Sequence, residues 1–267
     1  MFHIHTSRCG HAVGRDEEYI ERAIALGAKR IIFTDHTPFP EDVFPDLVCR
    51  MGISVLPEYI ETMKQLKKTY ENEIEVVYGL EIEWLDRYRE FYEELSKQTD
   101  ILIVGEHIME DSHGEIQYPS GFTDTRYFKD YAENIKAAAL SGLVYAIAHP
   151  DRIFLKGLQR SGQTWNNDCE ECVEIMLSGI QQAISEGKLK YVELNAGSFR
   201  KLKTAYDPEI HTYPNKRMWK AFVDAKLPIV IGQDAHAPEE MMDIGYDRAQ
   251  EFLADLGGKA ENIGFVK

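Results

Sequence analysis

Residues 228–236 read Pro-Ile-Val-Ile-Gly-Gln-Asp-Ala-His. A short run of β-branched residues fits a strand covered on both faces, and it leads straight into an acid and an imidazole. The pattern recurs along the chain. Arg30–Thr34 runs into Asp35-His36, Glu75–Leu80 into Glu81, Ile101–Gly105 into Glu106-His107, and Leu143–Ala148 into His149-Pro150. The first candidate strand, Phe2–Ile4, carries His3 and is followed by His5, with His11 in the loop beyond. Only Tyr191–Leu194 ends otherwise, in Asn195-Ala196-Gly197-Ser198. Six of the seven candidate strands therefore deliver an imidazole or a carboxylate at the same end.

Between the strands lie stretches of helical period: Asp16–Leu26, Pro57–Asn72, Arg87–Gln98, Asp124–Ser141, Asp168–Glu186, Asn215–Ala225 and Glu239–Leu256. Pro57 suits a first helical turn, while Gly27, Gly142, Gly187 and Gly257 stand where a helix would stop. Regular strand–helix alternation predicts an α/β fold of parallel βαβ units, either a barrel or an open sheet. Four long connections, Thr37–Leu56, Glu106–Thr123, Asp151–Asn167 and Ala196–Pro214, all follow strands. In either architecture they gather at the carboxyl end of the sheet, where active sites lie.

The 267 residues are 44% hydrophobic and 28% charged, enough for a real core, and no linker or low-complexity tract divides them. A single domain over residues 1–267 is expected. No apolar run approaches the roughly 20 residues that span a bilayer, and the N-terminus lacks the pattern of a secretion signal. Four cysteines cannot build a dense disulfide framework. A cytoplasmic protein with no membrane partner is expected. A net charge of −15 argues against a nucleic-acid backbone as partner.

One histidine at a strand end is most often hydrogen-bonded packing, and His3 and His5 alone could simply share a polar face. The joint pattern is different. Seven of the nine histidines, all but His113 and His211, lie at strand ends or in the loop just after one, together with Glu81 and Asp234. Converging unpaired imidazoles and carboxylates are costly to bury, and divalent metals remove that cost. Nitrogen and oxygen donors suit zinc, manganese or iron. Nine protein donors exceed the needs of one or two ions, which points to three.

His3-Ile4-His5-Thr6, Thr34-Asp35-His36, Gly79-Leu80-Glu81, His107, His149 and Gly232-Gln233-Asp234-Ala235-His236 resemble, in order, the motifs of the PHP (polymerase and histidinol phosphatase) superfamily. The opening His-Ile-His-Thr and the size look most like its monofunctional histidinol-phosphate phosphatases. The resemblance implies a distorted seven-stranded (β/α) TIM-like barrel with a trinuclear site at the strand C-termini. It places His3, His5, Glu81 and Asp234 on a first ion; Glu81, His107 and His149 on a second; and His11, His36 and His236 on a third. One departure is Gln233, where the family more often has serine.

The activity so implied is hydrolysis of L-histidinol phosphate to L-histidinol and phosphate, a step of histidine biosynthesis, with a metal-bridging hydroxide attacking phosphorus. Phosphate also calls for a guanidinium: Arg160 and Arg200 are the first candidates, Arg152 a third, with Ser198 assisting. For a cationic, aromatic small-molecule substrate, Asp42 and Glu83 are candidate contacts, with Glu41, Phe39, Phe44 and Trp84 nearby. Cys9 reads as a packed thiol, and Cys169 and Cys172 as two thiols on one helix face. Two other readings stand beside this one: a PHP-type nucleotide phosphoesterase or single-strand exonuclease, and a non-catalytic metal-binding barrel.

Overall fold

The computed structural model describes residues 1–40, 49–122, 124–160, 162, 164–202, 204–208 and 211–264, except the side chains of Ser120, Lys156, Gln159 and Arg160. Seven parallel strands form one sheet in the order β1-β2-β3-β4-β7-β8-β9. They are β1 (Phe2–Ile4), β2 (Arg30–His36), β3 (Glu75–Ile82), β4 (Ile101–Val104), β7 (Ala146–Ile147), β8 (Tyr191–Asn195) and β9 (Ile229–Gly232). A small antiparallel hairpin, β5 (Met109–Glu110) with β6 (Ile116–Gln117), occupies the connection after β4. The sheet curls until β9 meets β1: Ile4 bridges Ala235, and the Gln233 amide donates to the Phe2 carbonyl at 2.8 Å. The result is a nearly closed, distorted (β/α)7 barrel.

The surrounding helices are α1 (Asp16–Ala25), α2 (Leu56–Thr69), α3 (Arg89–Gln98), α4 (Phe128–Leu140), α5 (Arg152–Phe154), α6 (Asn167–Ser185), α7 (Ala196–Arg200), α8 (Lys216–Asp224) and α9 (Ile244–Asp255). Side-chain oxygens start several of them. Asn166 accepts from the Cys169 amide, Asn215 from Met218, and Asp243 from Gly245. Gly27 and Gly187 stop α1 and α6 at φ of 78° and 71°, a region open to glycine. Two expected helices begin later than their periodicity proposed. The stretch from Asp124 is irregular until Phe128, and Pro238 initiates a separate 3₁₀ turn before Asp243 caps α9. Within the connection after β8, residues 196–200 coil into α7. Among the described residues no helix is long and apolar enough to cross a membrane.

The barrel interior follows from period-2 alternation. Ile32, Thr34 and His36 share one face of β2, as do Val77, Gly79 and Glu81 on β3, and Tyr191, Glu193 and Asn195 on β8. Each series begins apolar and ends polar. Phe2, Ile32, Ile103, Ala146, Ala148 and Val230 form a small buried cluster of their own, an apolar floor under the polar end. A much larger cluster fills the layer between strands and helices. Within it Trp219 of α8 is fully buried, and its indole N–H donates to Asp151 at 2.8 Å. Trp219→Ala is expected to lower the unfolding free energy by about 3–5 kcal/mol. A urea titration reads this as a lower midpoint, and an unchanged midpoint would show that the neighbours close the cavity.

Candidate metal centre

Glu81 stands at the centre of the polar end. Its Oε2 lies 3.5 Å from His3 Nε2, 3.7 Å from His5 Nε2 and 2.9 Å from His36 Nδ1, while Oε1 lies 3.0 Å from His149 Nε2. Asp234 Oδ1 is 3.2 Å from His5 Nε2. The imidazoles pack on one another around this acid. The His5 ring is 4.4 Å from that of His36 and 4.1 Å from His236; His11 is 4.4 Å from His236, and His107 is 5.1 Å from His149. All nine residues singled out from the sequence as donors are thus neighbours, although they span residues 3 to 236.

The donor set suits divalent cations. His3 Nε2, both ring nitrogens of His5, His36 Nδ1, Glu81 Oε2 and His236 Nε2 are buried without a hydrogen-bond partner among the described residues. Donor atoms cluster within 4.8 Å of one another as His3–His5–Asp234, His3–Glu81–His149 and His5–His36–His236. His36 Nδ1 and Glu81 Oε2 approach to 2.9 Å outside hydrogen-bond geometry, a close approach of two electron-pair donors that nearby cations would relieve. Borderline nitrogen and hard oxygen ligands of this kind fit zinc, manganese or iron.

Electrostatics divides the imidazoles in two. Burial works against charge on His5, but the nearby carboxylates of Asp234 and Asp35 outweigh it and raise the pKa to about 9. His3 is likewise raised despite burial, by Glu193 and Glu81. Burial lowers His36 to about 4, and burial with the neighbouring His5 lowers His236 to about 3. Glu81 and Asp234 lie well below the usual carboxylate range: the surrounding imidazoles overcome the desolvation that would raise them. These two acids are anionic, and His36 and His236 are neutral donors.

The backbone pays for the convergence in conformation. His3, His149 and Asp234 adopt φ of 66°, 32° and 45°, where residues other than glycine are uncommon and strained. Space is made elsewhere. A Cβ on Gly105 would stand 1.7 Å from Glu81 Oε1. Strand β8, read from sequence as ending without a donor, faces the centre with two polar side chains: Glu193 lies 2.6 Å from His3 Nδ1, and Asn195 donates to Asp234 Oδ2 at 2.9 Å. The available signal was the acid inside an otherwise buried strand. Cys9 is buried as expected, but its sulfur also falls within 4.8 Å of donor atoms of His11 and His236.

A cleft of roughly 470 Å³ opens over this centre, lined by His11, His36, His107, Arg152, Asp234 and His236 among others. The expected substrate contacts stand in different relations to this cleft. Glu83 is buried behind His107, 3.1 Å from its Nδ1, accepts from the Ile108 amide and pairs with Arg50 at 2.8 Å, so it is spent on residues of the cleft wall and is not itself part of the lining. Trp84 is core. Ser198 turns its hydroxyl onto the Asn195 carbonyl at 2.6 Å, as a first-turn serine readily does. Arg200 lines the cleft, yet its guanidinium is bound to Asp243 and to the carbonyls of Gln233 and Glu240. Arg152 lines the cleft with no ion pair among the described residues. Asp42, Glu41, Phe44 and the Arg160 side chain lie outside the described residues. Gln233 points away from the centre, accepting from the Met242 amide at 2.6 Å.

Comparison with known proteins agrees with this architecture. The model of the PHP domain family matches residues 2–197. A protein of Deinococcus radiodurans named "Probable histidinol-phosphatase" is 26% identical, over 96% of this chain and 93% of its own length. The "Histidinol-phosphatase" of Bacillus subtilis is 24% identical, over 91% of this chain and 94% of its own. Among solved structures, the histidinol phosphate phosphatase of Lactococcus lactis, complexed with zinc, L-histidinol and phosphate, superposes with a TM-score of 0.69. That match is 19% identical and covers 97% of this chain and 93% of the other, a likeness of fold.

Proposed function

The chain belongs to the PHP domain family, and on that premise we propose that it is a metal-dependent phosphomonoesterase acting on L-histidinol phosphate as one domain over residues 1–267. The observation that carries this reading is the ring of buried, unpartnered nitrogen and oxygen atoms around Glu81. The full-length relatives carry the substrate class in their names.

Three divalent ions, of zinc, manganese or iron, are the proposed complement. His3, His5, Glu81 and Asp234 would hold the first, Glu81, His107 and His149 the second, and His11, His36 and His236 the third. Bound there, such ions supply Lewis acidity, which acidifies water near neutral pH and neutralises charge on phosphoryl oxygens. The chain's own residues do the rest. Arg152, at the cleft wall without a carboxylate partner among the described residues, is the proposed guanidinium for the phosphate, a planar fork matched to its oxygens. Arg200, clamped by Asp243, holds the loop that presents Asp234. Glu83 fixes the ring of His107 from behind. A cleft of roughly 470 Å³ suits a small molecule, and a charge of −15 weighs against a nucleic-acid backbone.

The test is a parallel assay of phosphate release. Protein loaded with zinc or manganese is offered histidinol phosphate, a nucleoside monophosphate and single-stranded DNA. Histidinol phosphate is expected to have the highest kcat/KM, by at least about 100-fold, a margin of about 2.7 kcal/mol. Turnover confined to the nucleotide or DNA would overturn the substrate assignment. Inactivity with ions bound would favour a binding barrel.

A further inference from the structure

We propose that β8 sets the geometry of the metal centre from behind: Glu193 is a positioning residue for His3, and Asn195 for Asp234. This role presupposes that His3 and Asp234 hold metal.

The two supported residues are those that most need support. At φ of 66° and 45°, His3 and Asp234 leave regular strand geometry, so the pleat of the sheet does not aim their side chains. Each is instead held by a partner on β8. Glu193 Oε2 lies 2.6 Å from His3 Nδ1, with both residues fully buried. A carboxylate there accepts the Nδ1 proton, fixes the ring's orientation and turns Nε2 inward, the nitrogen that would be bare once a cation replaces its proton. That nitrogen has no hydrogen-bond partner and faces Glu81 at 3.5 Å. Carboxylate–imidazole pairs of this kind also make the ring a stronger donor.

Asn195 is equally committed. Its Oδ1 accepts from the Ser198 amide as the cap of α7, which leaves Nδ2 to donate to Asp234 Oδ2 at 2.9 Å. Asp234 Oδ1 is then free to face His5 Nε2, 3.2 Å away. Glu193 and Asn195 stand two apart on one strand, so they share a face and their spacing is rigid. The neighbouring strand makes room. A Cβ on Gly232 would come within 2.2 Å of the Glu193 carboxyl carbon.

Packing alone does not account for Glu193. A carboxylate with no exposure, whose one ion-pair partner among the described residues is His3, is costly to bury unless that imidazole is its purpose. Nothing in the fold of β8 requires an acid there, since its neighbours Val192 and Leu194 are ordinary core.

Three variants test this role. Glu193→Ala removes the acceptor, Glu193→Gln keeps its reach without charge, and Asn195→Asp keeps the helix cap but cannot donate to Asp234. Each is titrated with cobalt(II) or zinc against a competing chelator, counted by atomic emission, and melted in the metal-free form. Glu193→Ala is expected to weaken one ion by about 10–100-fold, with Glu193→Gln between it and wild type. Asn195→Asp should weaken the same ion. In proton NMR of the cobalt-loaded protein, one hyperfine-shifted, exchangeable imidazole N–H should vanish in Glu193→Ala and persist in Glu193→Gln. Wild-type affinity and an unchanged spectrum in Glu193→Ala would overturn the role. So would affinity losses that merely follow a lower melting temperature of the metal-free protein. Should Glu193→Ala not fold, Glu193→Gln and Asn195→Asp decide alone. A wild-type protein that binds no ion in the same titration would overturn the metal-centre reading itself, a distinct failure.

Discussion

Glu81→Gln is expected to lower kcat/KM by about three orders of magnitude and to remove at least one bound ion. Glu81 approaches four imidazoles, those of His3, His5, His36 and His149, within 3.7 Å. A glutamine fills the same volume, but its amide is neutral and turns N–H groups toward nitrogens that themselves need to donate electron pairs. Metal ions at such a site provide several kcal/mol of transition-state stabilisation, and about 4 kcal/mol corresponds to 10³-fold. Steady-state phosphate release and metal analysis on one preparation measure both effects. Full activity with a full complement of ions would show that Glu81 does not join them.

Gly105→Ala should lower activity by about 10²-fold without altering any donor. The added Cβ would lie 1.7 Å from Glu81 Oε1 and 2.5 Å from its carboxyl carbon, an overlap that requires movement. Glu81 has little freedom to give way, because Oε1 already meets His149 at 3.0 Å. Displacing a catalytic group by about 1 Å costs on the order of 10²-fold in rate. Overpacking adds about 1–3 kcal/mol of destabilisation. Activity, metal content and melting temperature separate the two contributions. Wild-type activity would show that the carboxylate has room to move.

These residues also mark what the sequence reveals. All seven barrel strands were legible because a parallel strand covered on both faces is a short continuous apolar run. The clustering of candidate donors at and just beyond the strand ends was legible because an acid or imidazole at such a place has few other reasons to be there, and the fold brings these side chains together. The contribution of β8 was hidden for a related reason. Glu193 lies within its strand, not beyond it, and only closure of the sheet decides that its face looks inward. Glu83 was misplaced because nearness in sequence to Glu81 stood in for nearness in space, whereas the chain departs from the sheet after Ile82 and carries Glu83 behind His107. The pairing of Arg200 was not legible because its partner, Asp243, is 43 residues away. The hairpin of β5 and β6 has strands of two residues each, too short to show any period.

The meeting of β1 and β9 has a consequence for how such a protein fails. One bridge, Ile4 to Ala235, and a few flanking amide bonds close the cylinder. The candidate donors His3, His5, Asp234 and His236 flank that same seam, two from either side. On the proposed ligand set, ions held by all four would act as rivets across a join that the backbone alone fastens lightly. Demetallation and unzipping of the cylinder would then be a single event, beginning at the line where the two ends of the sheet touch.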